Sequence, residues 1–224
     1  MVMTLRTPVL LALVGLATVF LAACGSDKSV SSASLKRQLL KASAVPGYGL
    51  QRTLDWNDPV DLVGQGIFLP ELTKPSAAVK VMKTAGLRGA AGEVLSRGGG
   101  LNASEITIGV AKFKSADSAN KVRDWMHGQD LQQPCAVACI FSPHPVKLPA
   151  VPSGRLVVQS SYPTPPPGAP AHAKPVGGPP TNYQVEFTVG PYLYFAWTQG
   201  SSNDKAKFIA GAQRYYRQVS GARA

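Results

Sequence analysis

Acidic residues are scarce in this 224-residue chain: 12 Asp and Glu stand against 23 Lys and Arg, a formal net charge of +11. Histidine is scarcer still. His127, His144 and His172 are far apart, and none has a candidate nucleophile or a cluster of metal-binding neighbours in sequence. No Gly-x-Ser-x-Gly elbow occurs, and Gly98-Gly99-Gly100 is not followed by the Gly-Lys-Ser/Thr that a phosphate-binding loop needs. These absences point away from an activated serine, a nucleotide site and a metal centre, and no catalytic residue, metal or cofactor is expected. Three cysteines are too few for a disulfide-built scaffold. With 45% apolar residues the chain has enough material for an ordinary hydrophobic core.

Long apolar runs are missing except at the start. After Arg6 the chain carries no charge from Pro8 to Ala23, and then turns polar at Gly25-Ser26-Asp27-Lys28. A basic start, a short greasy middle and small residues at the end are the layout of a secretory signal, and the run is short of the ~20 residues of a spanning helix. An ordinary signal peptide and an N-terminal membrane helix are the competing readings. Leu21-Ala22-Ala23-Cys24 decides between them, because it resembles the lipobox of bacterial lipoproteins at all four positions. That resemblance implies a diacylglyceryl thioether on Cys24, cleavage after Ala23 and a membrane-anchored mature protein. Two or more acyl chains, at about 0.8 kcal/mol per buried methylene, make such an anchor firm.

Loss of residues 1–23 removes Arg6 and no acid, lowering the net charge from +11 to +10. A basic domain at a membrane is drawn to anionic lipids, anionic envelope polymers or acidic envelope proteins, by about 1 kcal/mol per Lys or Arg near the surface. Nucleic acid is excluded as a partner by the compartment and by the scatter of the cations, which form no recognition module. With Cys24 lipidated, Cys135 and Cys139 are an even pair in an oxidising compartment, and a structural disulfide is expected. Reduced thiols, or redox or metal chemistry with His144, are the alternatives.

Residues 24–34 are small and polar and read as a lipidated tether, leaving 35–224 as one globular domain. Leu35, Leu39 and Leu40 follow helical spacing, with Ser34 available as N-cap. The stretch from Leu35 to Tyr48, with Leu39-Leu40-Lys41-Ala42 and Val45-Pro46-Gly47-Tyr48, resembles the opening of exported actinobacterial lipoproteins and sensor-like extracellular domains, where Leu-Leu-x-Ala-x-x-Leu-Pro-Gly-aromatic is common; Val45 stands for the last Leu. The resemblance implies an envelope role and no particular ligand.

Farther along, strand fragments and loops are expected from Tyr48 to Pro70. A helix should open at Thr73-Lys74-Pro75 and close at Gly86. Ile106 to Phe113 alternates as a strand, and Ser115 caps the helix that follows. Arg155 to Tyr162 reads as a second strand, running into a Pro/Gly-rich insertion at 163–180. Tyr183–Val189 and Tyr192–Thr198 flank Gly190-Pro191 as a hairpin, and Asp204 caps a last helix. The order indicates an α+β domain, an antiparallel β-sheet with helices packed on one face.

Two residue groups invite a functional reading. Asp55, Asp58 and Asp61 surround Trp56 and could place carboxylates near a sugar, although Asn57-Asp58-Pro59 is equally a good turn. Tyr192, Tyr194 and Trp197 are core or, alternatively, a binding face. The expected role is therefore non-enzymatic ligand or partner binding at the outer face of the cytoplasmic membrane; an enzyme acting on cell-wall material and a lipid carrier are the alternatives. Cys24→Ser tests the anchor. The variant should be released from membranes or accumulate uncleaved, as read by fractionation and intact mass, and normal processing with full membrane retention would refute the lipid site.

Overall fold

The computed structural model describes residues 29–56, 58–64, 75–98, 104–132, 146–160, 181–200 and 205–221. The lipobox with Cys24, the Cys135/Cys139 pair, His144, His172 and the insertion at 163–180 lie outside the described residues. Seven strands form one sheet: β1 (Gly49–Trp56), β2 (Leu87–Arg97), β3 (Ser104–Phe113), β4 (Val146–Lys147), β5 (Arg155–Ser160), β6 (Thr181–Val189) and β7 (Tyr192–Gly200). Their spatial order is β1-β2-β3-β7-β6-β5-β4, antiparallel at every pairing. The hairpin β6–β7 turns at Gly190, whose φ of +56° suits a residue without a Cβ. Its second arm then pairs with β3, so β7 is the middle strand.

The α+β class and the antiparallel sheet are as the sequence indicated; the layering differs. Helices lie on both faces. Ile106, Ile108, Tyr194 and Ala196 turn to a face covered by α1 (Ser32–Lys36) and α5 (Lys205–Ser220), which bring Leu35, Phe208, Ala212 and Tyr215. Ala111, Phe113, Leu193 and Phe195 turn to the other, covered by α2 (Pro59–Gly64), α3 (Pro75–Ala85) and α4 (Ala116–Gln132) through Leu62, Ala78, Met82, Ala119, Val122 and Met126. A strand apolar on both sides exposes one of them unless both are covered, and that requirement overrides the one-sided arrangement. Every described element lies within residues 29–221, and they supply a hydrophobic cluster on each face of the sheet.

Several boundaries move. Ser31, not Ser34, caps the first helix, accepting from the Ser34 amide, and the helix stops at Lys36. The chain then turns, so that Leu39 and Leu40 reach the core from a loop rather than a helical face. Residues 30–34, expected at the end of a tether, belong to the body: Val30 packs on the core and its amide donates to the Arg88 carbonyl at 2.9 Å. Ser115 caps α4 as expected, its Oγ 3.1 Å from the Ser118 amide, while Thr73 and Asp204 lie outside the described residues.

Strand β2 has no counterpart among the expected elements. Its Gly89-Ala90-Ala91-Gly92 centre has weak strand propensity, yet it pairs along its length with β1 and β3. Small residues are needed there because large rings lie on the sheet. A Cβ on Gly92 would come within 2.7 Å of the Trp56 ring, and one on Gly109 of β3 would overlap the ring of Phe195. Gly109→Ala is therefore expected to destabilise the fold by at least ~1–3 kcal/mol through overpacking. Gly128→Ala in α4, where a Cβ meets nothing within 4 Å, should leave stability unchanged or raise it by up to about 1 kcal/mol. Denaturant melts of the two variants compare these costs directly.

Candidate ligand-binding site

On the α5 face the core does not close completely. The motif Leu40 to Tyr48 includes a 3₁₀ turn at Ala42–Ala44 and then swings round Gly47, at φ +81°, before entering β1. This segment and α5 stand over the sheet with a cavity of about 290 Å³ between them. Its floor is Ile106, Ile108, Ala196 and Thr198 from β3 and β7; one wall is Leu40, Ala44, Val45, Pro46 and Tyr48; the other is Phe208, Gly211, Ala212 and Tyr215. The size falls at the lower end of the range used by small-molecule sites, roughly 300–1,000 Å³, and the lining is mainly apolar as such sites require.

The polar groups inside are already engaged. Thr198 Oγ1 accepts from the Tyr183 amide at 2.9 Å, and the Tyr215 hydroxyl donates to the Gly109 carbonyl at 3.3 Å. Burial, reinforced by neighbouring Tyr194 and Glu93, pushes the Tyr215 phenol well above its usual range. It therefore stays neutral and contributes a flat apolar face. Charge enters only at the edge, from Arg97, Lys207 and Arg214. The Arg97 guanidinium stands 5.2 Å from the centroid of the Tyr48 ring, and Arg214 Nη1 donates to the Ala44 carbonyl.

The aromatic residues read from the sequence do not make this site. Tyr192 and Tyr194 share the α5 face and touch, ring centroids 6.1 Å apart, but Tyr194 is core: it stacks on Phe187 at 5.3 Å and donates to Gln38 Oε1 at 2.6 Å. Burial and then Tyr192 raise its phenol strongly. Trp197 points to the opposite face. The carboxylates do not converge either. Asp55 pairs with Lys36 at 2.8 Å and accepts from Ser32, which holds it below the ordinary carboxylate range. Asp58 caps α2, accepting from the amides of Val60 and Asp61 at 2.7 and 2.9 Å, so its carboxylate serves the local backbone.

His127 sits inside α4. Its Nε2 lies 3.0 Å from Oε2 of Glu186, which is fully buried. Gln184 donates to the other carboxylate oxygen, Arg155 Nη2 is 3.8 Å away, and Arg155 Nη1 donates to the His127 carbonyl at 3.0 Å. The cluster is on the α4 side of the sheet, away from the cavity, and it links α4 to β5 and β6 around a buried carboxylate whose Oε2, like His127 Nε2, makes no hydrogen bond. Sequence alternation placed Glu186 opposite Phe187, but could not reveal that this side is also covered. The cavity residues had one legible sign, the Pro46-Gly47-Tyr48 turn that bends the chain away from α5.

Gly211 is the small residue that opens the α5 wall, and a Cβ there meets nothing within 4 Å. Gly211→Ala should raise stability by roughly 0.5–1 kcal/mol, because the helix interior gains propensity and no atom has to move. Thermal melts check it: a fall in stability would mean that the space beside α5 is not open.

No protein-family model matches the chain, and no curated protein matches it. Among solved structures it is similar to the extracellular domain of PknH from Mycobacterium tuberculosis, with 14% identity and a TM-score of 0.51, over 87% of this chain and 97% of that one. At this identity the likeness is one of fold: the antiparallel sheet with its helices is an architecture that this chain shares with that extracellular domain.

Proposed function

We propose that this protein is a lipid-anchored, non-enzymatic binding domain of the bacterial cell envelope, held at the outer face of the cytoplasmic membrane through Cys24, and that it takes a small apolar ligand into the cavity under α5. The observation that carries the reading is the cavity itself: about 290 Å³ of mainly apolar space between the sheet and α5, walled by Leu40, Ile106, Ile108 and Phe208 and open to solvent on one side. Apolar walls left in contact with water forgo the free energy of burial, about 25 cal/mol per Å², which an apolar ligand covering them recovers. The lipobox and the fold shared with an extracellular domain support the compartment. The histidine and acidic side chains described above are engaged in ion pairs, caps and burial, which favours binding over chemistry.

Tethering adds to the effect. A domain confined to a membrane surface meets ligands that partition there at a raised effective concentration, so moderate affinity suffices.

The neutral fluorophore N-phenyl-1-naphthylamine, which brightens in apolar surroundings, tests the reading on the chain from residue 25 onward. Saturable binding is expected with one site per chain. It should weaken about tenfold or more in Gly211→Phe and in Ala196→Leu, two variants that fill the cavity from opposite walls. No saturable binding, or equal binding by both filled variants with their melts intact, would overturn it.

A further inference from the structure

The cavity is longer than it is wide. Its α5 wall runs from Lys207 to Tyr215, a rise of about 12 Å at 1.5 Å per residue. Its floor is two cross-strand pairs, Ile106 with Thr198 and Ile108 with Ala196, on the neighbouring strands β3 and β7. Such a floor measures about 7 Å along the strands and about 5 Å across them. A volume of about 290 Å³ spread over a length of ~12 Å leaves a mean cross-section of roughly 24 Å².

A single hydrocarbon chain has nearly that girth. An apolar cavity of about 150 Å³ holds benzene, so each carbon takes about 25 Å³, and a zigzag of ~1.5 Å bonds advances roughly 1.3 Å per carbon. One extended chain therefore fills about 20 Å² of cross-section. A compact cage of about ten carbons is roughly 6 Å on each side and needs nearly twice as much.

Resting on the ligand-binding reading above, we infer that the cavity takes one unbranched hydrocarbon chain of about ten carbons, an alkyl or acyl tail lying between α5 and the Leu40 to Tyr48 segment. Length and chemistry agree. Ten carbons extend about 12 Å, the length of the α5 wall, and occupy roughly 250 Å³ of the space. A ring system with heteroatoms would bring polar edges into a space whose Thr198 and Tyr215 hydroxyls already bond Tyr183 and Gly109, and those edges would stay unpaired. A chain has no such edges. Gly211 keeps the α5 wall bare, with nothing within 4 Å of where its Cβ would stand. Carbons added at that position take the place of ligand carbons. Free single-chain molecules and the tails of membrane lipids share this chemistry, and both gather at the surface where the anchor would hold the domain.

Displacement of bound N-phenyl-1-naphthylamine from the chain beginning at residue 25 tests the assignment, with straight alcohols from hexanol to tetradecanol, each below its solubility limit. Half-displacement should come at about fourfold lower concentration for each added carbon, the ~0.8 kcal/mol of one buried methylene, and the gain should stop near decanol. 1-Adamantanemethanol, a caged alcohol of similar carbon count, should need about tenfold more than decanol or worse. Gly211→Ala should move the stop back by about one carbon and Gly211→Val by about three, since close packing leaves no room for both sets of atoms. Loss of stability alone would not shift a chain-length limit, and Gly211→Ala serves if Gly211→Val melts early. 1-Decanoyl-lysophosphatidylcholine separates the two sources: displacement near that of decanol identifies a lipid tail, and displacement by decanol alone a free molecule; either supports the chain. If the probe binds but the gain never stops, the cage competes as well as decanol, or the Gly211 variants leave the stop unmoved, the chain assignment is wrong and the binding reading stands. If the probe itself does not bind, the binding reading is what has failed.

Discussion

The structure depends on the burial of β7 from both sides. Tyr194 and Ala196 face α5, Leu193 and Phe195 face α4, and the strand between them is the fourth of seven. Aromatic side chains on both faces of a middle strand cannot be left to solvent, so helices must come to each face. The strands beside it must also be thin where its rings lie down. Gly109 is bare because Phe195 occupies the space of its side chain, and one strand further out Gly92 is bare because Trp56 does. A sheet built this way exchanges the local preferences of β2 and β3 for close contact between rings and backbone.

The cavity arises from the same arrangement. On the α4 side, Phe195, Phe113 and Met126 fill the space between sheet and helix. On the α5 side the helix presents Gly211 and Ala212 where it passes over Ile108 and Ala196, and small residues on both surfaces leave a gap. The Leu40 to Tyr48 segment closes one side of that gap, with Gly47 letting the backbone bend back and Tyr48 offering its ring to Arg97. Ordering of this loop is therefore tied to the shape of the cavity, and a ligand in the cavity would stabilise the loop by mass action.

Three of the acidic residues are committed to the fold: Asp55 to Lys36, Asp58 to the α2 amides, and Glu186 beside His127, Arg155 and Gln184 beneath α4. Lys207 and Arg214, exposed on α5, stand at the edge of the cavity with Arg97. The excess of basic over acidic residues in the whole chain favours association with anionic material.

Much of the fold was legible in the sequence because local physics carries it. Helix α3 follows from Pro75 and Gly86, α4 from the Ser115 cap, and the β6–β7 hairpin from its alternation around Gly190; each uses contacts between residues close in the chain. The α+β class and the expectation of an extracytoplasmic, binding type of protein also came from residue order alone. Strand β2 was not legible, because its Gly92 is kept bare by the Trp56 ring, which meets it only after folding. Nor was the stacking of Tyr194 on Phe187, which makes Tyr194 part of the core. Glu186 alternates with the apolar residues of β6, and only the covering of that face by α4 buries it. The cavity and its edge were decided wholly by tertiary structure. Arg97, Lys207 and Arg214 are up to 117 positions apart and come to one mouth only when β2 and α5 are placed on the same face. Periodicity and capping act over a few residues, whereas a gap between elements depends on how surfaces distant in sequence fit.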